Sequence, residues 1–219
     1  MKAYLADSVF FGAVISLAAY EAGLLIRRRF KLAVLNPLLI ATVCVMAVLT
    51  LFKVEYRHYN EGARYISYLL TPATVCLAVP LYQQLMLLRK NLKAVAGGIT
   101  AGVLASLASV FVLAKLFSLT HEQYVTLLPK SITTAIGMGV SEELGGISTI
   151  TVAVIIVTGI LGNVIAESVF KIFRIEEPIA KGLALGTASH AIGTAKAMEL
   201  GEVEGAMSSL AIAVAGLMT

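Results

Sequence analysis

Charge is scarce in this sequence. Of 219 residues only 14% are charged and 58% are hydrophobic, whereas a soluble domain carries about 25% charged residues. Water cannot solvate so apolar a surface. With a mean hydropathy of +0.89, the chain needs lipid around most of its circumference, which excludes a soluble globular domain. Cysteine is scarcer still. Cys44 and Cys76 each lie inside an apolar run, without a partner at metal-ligand spacing. They read as small hydrophobes and leave no disulfide framework or zinc site. Signatures of catalysis are missing: there is no HExxH, no GxSxG and no Walker-type loop. With three histidines, no metal centre, cofactor or enzymatic activity is expected. The net charge of +4 would suit nucleic acid. Its positive residues, however, sit in short loops between apolar runs, as orientation signals do, so nucleic acid is excluded as a partner.

What the sequence has in abundance is long apolar runs. Six are long enough for a hydrocarbon core of ~30 Å, which takes ~20 helical residues: Val9–Ile26, Leu32–Phe52, Tyr65–Leu88, Ala94–Phe117, Ser148–Phe170 and Val203–Thr219. The first is followed by Arg27-Arg28-Arg29-Phe30-Lys31. A secretory signal carries its positive charge before the apolar stretch, so this run reads as a first transmembrane helix. The expected fold is one all-α integral membrane domain over residues 1–219, with six to eight membrane segments.

Two further segments are too polar or too short for simple spans. Leu127–Val140 opens with Pro129-Lys130-Ser131, and Ile179–Ala197 carries Lys181, Ser189, His190, Thr194 and Lys196. Polar or irregular backbone at membrane depth survives only under protein or beside a water-filled cavity. Both read as broken or re-entrant helices, the alternative being ordinary tilted spans. The basic loops Arg27–Lys31 and Arg89–Lys93 then fall on one side, the cytoplasmic one. A re-entrant Leu127–Val140 brings Lys171, Arg174 and Lys181 to the same side and places both termini outside. A weak internal repeat relates Thr71–Val75 to Leu128–Ile132 and Gly102–Leu104 to Gly159–Leu161. A second pairing matches Asn36-Pro37 with Glu177-Pro178. Carriers are often built from such repeats.

The candidate site residues lie in these two polar segments. A helix begun at Pro129 would set Lys130, Thr133, Thr134 and Gly137 on one face. Its free N–H groups, its dipole and the Lys130 ammonium would then converge on a carboxylate, with Ser131 nearby. The other reading has Lys130 reaching to the interface while the threonines bond their own helix. In the second segment Gly182, Gly186, His190 and Thr194 recur every fourth residue, with Gly193 extending that face. Small residues there permit close helix approach and a homodimer. Ser189, His190 and Thr194 would complete the site, and His190 could carry a coupled proton. Helix breaks are expected at Asn36-Pro37, Pro72, Pro80 and Pro129, and Glu167 is a second candidate for coupling.

At these clusters the sequence resembles the LrgB/CidB family. Leu128–Thr134 and Ala184–Ala195 look like its signature segments; Pro72–Tyr82 and Leu35–Leu39 are similar to two others. Ala135 stands where the family pattern carries a second proline. The resemblance implies two descriptions. Bacterial members are described as antiholin-like modulators of murein hydrolase activity and lysis, acting with a small holin-like subunit of the LrgA/CidA type. The plant relative is a plastid glycolate/glycerate translocator, and some bacterial members are linked to pyruvate uptake. Interrupted helices with a cation near mid-depth fit a carrier better than a lysis regulator. The expectation is a carrier of a small carboxylate in a bacterial inner membrane, with Lys130, Ser131, Thr133, Thr134, Ser189, His190 and Thr194 around the substrate.

Overall fold

The computed structural model describes residues 10–30, 35–76 and 78–219, and the regular structure among them is helical. The chain divides into two compact units, Met1–Cys76 and Leu77–Thr219.

In the first unit, α1 (Phe11–Phe30) packs against α2 (Pro37–Phe52) and α3 (Tyr56–Ser67). Glycine makes this possible. A side chain at Gly12 would strike the backbone of Tyr59, and one at Gly23 the backbone of Pro37. Ala19, Ala41 and Val45 form the small core between them. Asn36 and Pro37 do break the chain, as the start of α2. The Asn36 side chain accepts from Leu38 N at 2.8 Å, and Pro37 occupies the first turn, where a missing N–H breaks no bond. Val9 and Leu32–Val34 of the first two apolar runs lie outside the described residues. Helix α3 has no counterpart among the expected elements, because Arg57, Glu61 and Arg64 keep its sequence polar; only Gly62 is buried.

The described residues of the run Tyr65–Leu88 form short helices instead of the one continuous helix expected. In the first unit α3 stops at Ser67 and α4 (Leu70–Cys76) carries Pro72. In the second, α5 (Ala78–Gln83) carries Pro80 and α6 (Leu85–Lys90) follows. Each proline occupies the third residue of its own short helix, where its missing N–H costs no hydrogen bond.

The second unit continues with α7 (Leu92–Leu116), α8 (His121–Leu127), α9 (Thr134–Glu143), α10 (Ser148–Ile172), α11 (Pro178–Leu200) and α12 (Glu202–Met218). Among the described residues, α7 and α10 are the two helices long and apolar enough to cross a membrane. At 25 residues each they reach ~37 Å, past a ~30 Å core. Their outer faces expose Leu104, Phe111 and Val112 on α7 and Val157, Leu161 and Ile165 on α10. This membrane protein is all-helical among its described residues. Among the described residues these two are fewer than the six to eight membrane segments expected; α2, at 16 residues, is apolar but shorter.

Helix α11 is broken at its centre. Ser189 (φ −133°, ψ 16°) and His190 (φ 42°, ψ −138°) leave helical geometry, and the chain folds back on itself there. The first limb follows α12 in parallel, with Gly182 against Glu204 and Gly186 against Ser208. The second returns along the same stretch of α12, with Thr194 bonded to Ser208 and Met198 against Gly205. Gly193 lets the limbs close, since a Cβ there would strike the Leu185 carbonyl. Gly182 and Gly186 therefore share a face with each other but not with His190, because the four-residue rhythm stops at the break.

A second reversal joins α8 to α9. Helix α8 runs antiparallel to α7, the rings of Phe111 and Tyr124 lying 6.1 Å apart. The chain then turns through residues 128–133 and returns as α9, which is only ten residues long, ~15 Å, half a crossing. Buried hydroxyls tie the base of this reversal to α10. Thr151 Oγ1 bonds the Thr126 carbonyl at 2.9 Å and Ser141 Oγ at 2.7 Å.

Candidate functional site

Both reversals end at the same depth. Ser106, near the middle of α7, donates to Ser131 in the α8–α9 turn at 3.0 Å. Gly98 and Gly102 of α7 meet Leu183 and Thr187 of α11 in parallel order, so the α11 break comes level with Ser106. On α10 the marker is Ile155. Its side chain fills the space left by Gly137 of α9, and its carbonyl accepts from His190 Nε2 at 2.8 Å. The tips of both interruptions thus come level with Ser106, near the middle of α7, and with Ile155, about a third of the way along α10.

Beside the tips lies a cavity of about 700 Å³. Small residues line it: Ala94, Gly98, Gly102 and Ala105 on α7, and Ala180, Ala184 and Ala188 on α11. Its polar groups are Ser106, Ser109, Lys130, Ser131 and Thr187, with Asn91 and Glu177 at the far end. Lys130 Nζ donates to Ser131 Oγ at 2.9 Å and to Ser106 Oγ at 3.4 Å. One ammonium and four hydroxyls, with Asn91 and Glu177 only at the far end, form a site for a single anionic group, because charge-assisted hydrogen bonds stabilise an anion where water is sparse.

The expected site residues part company here. Lys130 and Ser131 reach the cavity, but not by the expected route. No helix starts at Pro129: residues 128–133 form a turn and α9 begins at Thr134, with Thr133 as its N-cap. Lys130 therefore shares no helix face with Thr133, Thr134 and Gly137. Ser189, His190 and Thr194 are all buried, and their contacts lie on α10 and α12. Ser189 fills the notch left by Gly162. Thr194 Oγ1 donates to the His190 carbonyl at 3.2 Å and shares a 2.7 Å bond with Ser208. Asn163 donates to the Ile192 carbonyl at 3.3 Å, which steadies the second limb.

Two participants escaped sequence reading. Ser106 is one of three hydroxyls in an apolar helix; its signal is the stripe Gly98, Gly102, Ser106 at four-residue spacing. The second is the partner of Glu167. Lys196, with 8% of its side chain exposed, bonds Glu167 at 2.6 Å and Glu199 at 3.4 Å, joining α10 to the returning limb of α11. A lysine among small apolar residues is itself the sign of such a pair.

The six cations Arg89, Lys90, Lys93, Lys171, Arg174 and Lys181 gather at one end of this unit. The other end holds Lys115, His121, Glu122, Glu142 and Glu143.

The comparisons with known proteins agree with one another. The chain is 39% identical over 211 residues to the "Antiholin-like protein LrgB" of Bacillus cereus (strain B4264), covering 96% of this chain and 92% of the relative. The protein of the same name from Bacillus anthracis (strain A0248) matches to the same extent. No solved structure matches the chain. The model of the LrgB-like family matches residues 16–219, and the chain belongs to that family.

Proposed function

We propose that this protein carries a small carboxylate, of the pyruvate, glycolate or glycerate class, across a bacterial inner membrane. One observation carries the reading: two helix reversals lie at one level beside a cavity whose one cation among the described residues is Lys130. Interrupted helices at the midplane suit a carrier, because their free backbone groups and dipole ends address ions there. In this reading the Lys130 ammonium holds the carboxylate with Ser131 and Ser106, and the Thr133–Thr134 start of α9 favours the same charge through its dipole. Ser189, His190 and Thr194 hold the second tip in position. Glu167 and His190 are the groups available for proton coupling. The end bearing the six cations faces the cytoplasm by the positive-inside rule, with both termini outside.

A second reading takes the relatives' name, antiholin-like, together with what the family resemblance implies: a regulator of murein hydrolase activity and lysis acting with a holin-like subunit. The names favour it; the cavity favours carriage. A homodimer belongs to either reading.

Flux into proteoliposomes containing this purified chain alone separates the two. Labelled pyruvate, glycolate and glycerate are offered with and without an imposed proton gradient. Saturable uptake that disappears in Lys130→Ala supports the carrier. Flux that appears only after a holin-like subunit is added makes the chain half of a transport unit. No flux from folded protein in either preparation leaves the lysis regulator as the better reading.

A further inference from the structure

A second polar cavity, of about 390 Å³, opens at the cationic end of the second unit, between the end of α10 and the two ends of α11. Lys171, Arg174 and Lys181 line it with Glu167 and Glu176, over an apolar floor of Phe170, Ile175 and Leu200. Lys196 already binds Glu167. The side chains of Lys171, Arg174 and Lys181 form no ion pair among the described residues. With Lys196 and its two partners counted, four positive charges stand against the three carboxylates of Glu167, Glu176 and Glu199, and the three cations of the cavity face Glu176. Ile172 and Phe173 stand beside this mouth, more than two-thirds exposed, at the end of a helix that crosses the membrane.

We infer that this cavity holds the phosphate of an anionic phospholipid. A guanidinium and two ammonium groups supply the donors a phosphate diester requires. The apolar floor receives the glycerol backbone, and Ile172 and Phe173 guide the acyl chains back towards the bilayer. Basic pockets between membrane helices on the cytoplasmic side recognise acidic headgroups in this way. A soluble phosphate ion would use the same three cations but gain nothing from Phe170, Ile172 or Phe173. The site adjoins Glu167, so its occupant bears on the link between α10 and the returning limb of α11. The assignment is independent of what the Lys130 cavity carries.

The test uses the full chain, purified in detergent and titrated with phosphatidylglycerol, phosphatidylcholine or inorganic phosphate, bound lipid being read by native mass spectrometry. Each cation near an acidic headgroup is worth about fivefold in binding. Replacing Lys171, Arg174 and Lys181 by Gln should therefore weaken phosphatidylglycerol about a hundredfold. The matched change at Arg89, Lys90 and Lys93, outside the cavity, should leave it bound. All six positions are charged and near the surface; Arg174→Gln alone serves if the triple variant fails size-exclusion. Equal loss in the two triple variants, equal binding of phosphatidylcholine, or displacement of the lipid by inorganic phosphate would each overturn the assignment.

Discussion

His190 Nε2 donates to the carbonyl of Ile155 at 2.8 Å, so the residue at which α11 turns back is pinned to the first half of α10. His190 holds φ at +42° with ψ at −138°, a region where L side chains are strained by roughly 1–3 kcal/mol. The bond and the burial of the ring keep it there. His190→Ala removes the bond and keeps the strain, and should lower stability by about 1–3 kcal/mol. His190→Gly removes both, and should lose less. Thermal unfolding of the two variants in detergent checks the order. A His190→Ala protein that lacks uptake at wild-type stability would instead place the ring against substrate.

Lys130 should behave in the opposite way. Its partners are two hydroxyls at the edge of an open cavity, so Lys130→Ala should leave the unfolding temperature nearly unchanged. A charge-assisted hydrogen bond of about 1.5–3 kcal/mol corresponds to a tenfold to hundredfold loss of carboxylate affinity. Lys130→Arg should recover part of it. Proteoliposome uptake measured against substrate concentration separates affinity from rate.

The small residues of α11 are a test of the hairpin itself. A methyl group at Gly186 would lie 2.5 Å from the Ser208 carbonyl, forcing the first limb off α12. Gly186→Ala should cost about 1–3 kcal/mol. Gly139, on α9, has no neighbour within 4 Å of an added Cβ, so Gly139→Ala should stabilise the protein by about 0.4–1 kcal/mol. Equal effects at the two positions would contradict the packing described for α11.

Removing both carboxylates around Lys196, as Glu167→Gln with Glu199→Gln, leaves a buried ammonium unpaired. The expected loss is about 1–3 kcal/mol, below the full cost of a broken buried pair because both carboxylates are half exposed. Adding Lys196→Met should restore most of it, since an apolar side chain of similar volume needs no partner. Unfolding temperatures of the double and triple variants decide this.

Sidedness can be read by labelling. In a background without Cys44 and Cys76, Glu142→Cys should react with an impermeant maleimide on intact cells. Arg174→Cys should react only after permeabilisation. The reverse pattern would invert the proposed orientation.

How much of this was legible in the sequence depended on the kind of signal. Hydropathy located α7 and α10 within two residues at each end, because lipid contact demands continuous apolar length. Serine, histidine and lysine inside apolar runs marked both interruptions. The reversal at Ser189–His190 was not legible, since it is set by what α10 offers: the Ile155 carbonyl, and the notches at Gly159 and Gly162. The start of α9 was misplaced for a similar reason. Pro129 suits a first helical turn, but its segment is held as a turn by Ser106 and by the packing of Gly137 on Ile155. Helix α3 was missed because a polar amphipathic helix lacks the apolar continuity that marks its neighbours.

The dependence of both tips on Ile155 has a consequence for biogenesis. The α8–α9 turn is synthesised before Ile155, and the α11 break after it. Until α10 has entered the bilayer, the turn at residues 128–133 is covered on the α7 side alone, and lipid offers its backbone nothing on the other. The segments that form the cavity must therefore be placed late, against spans already in the membrane, rather than inserted in the order of translation. A nascent chain halted before Ile155 holds an unfinished first tip, the kind of exposed polar segment that membrane quality control is able to detect.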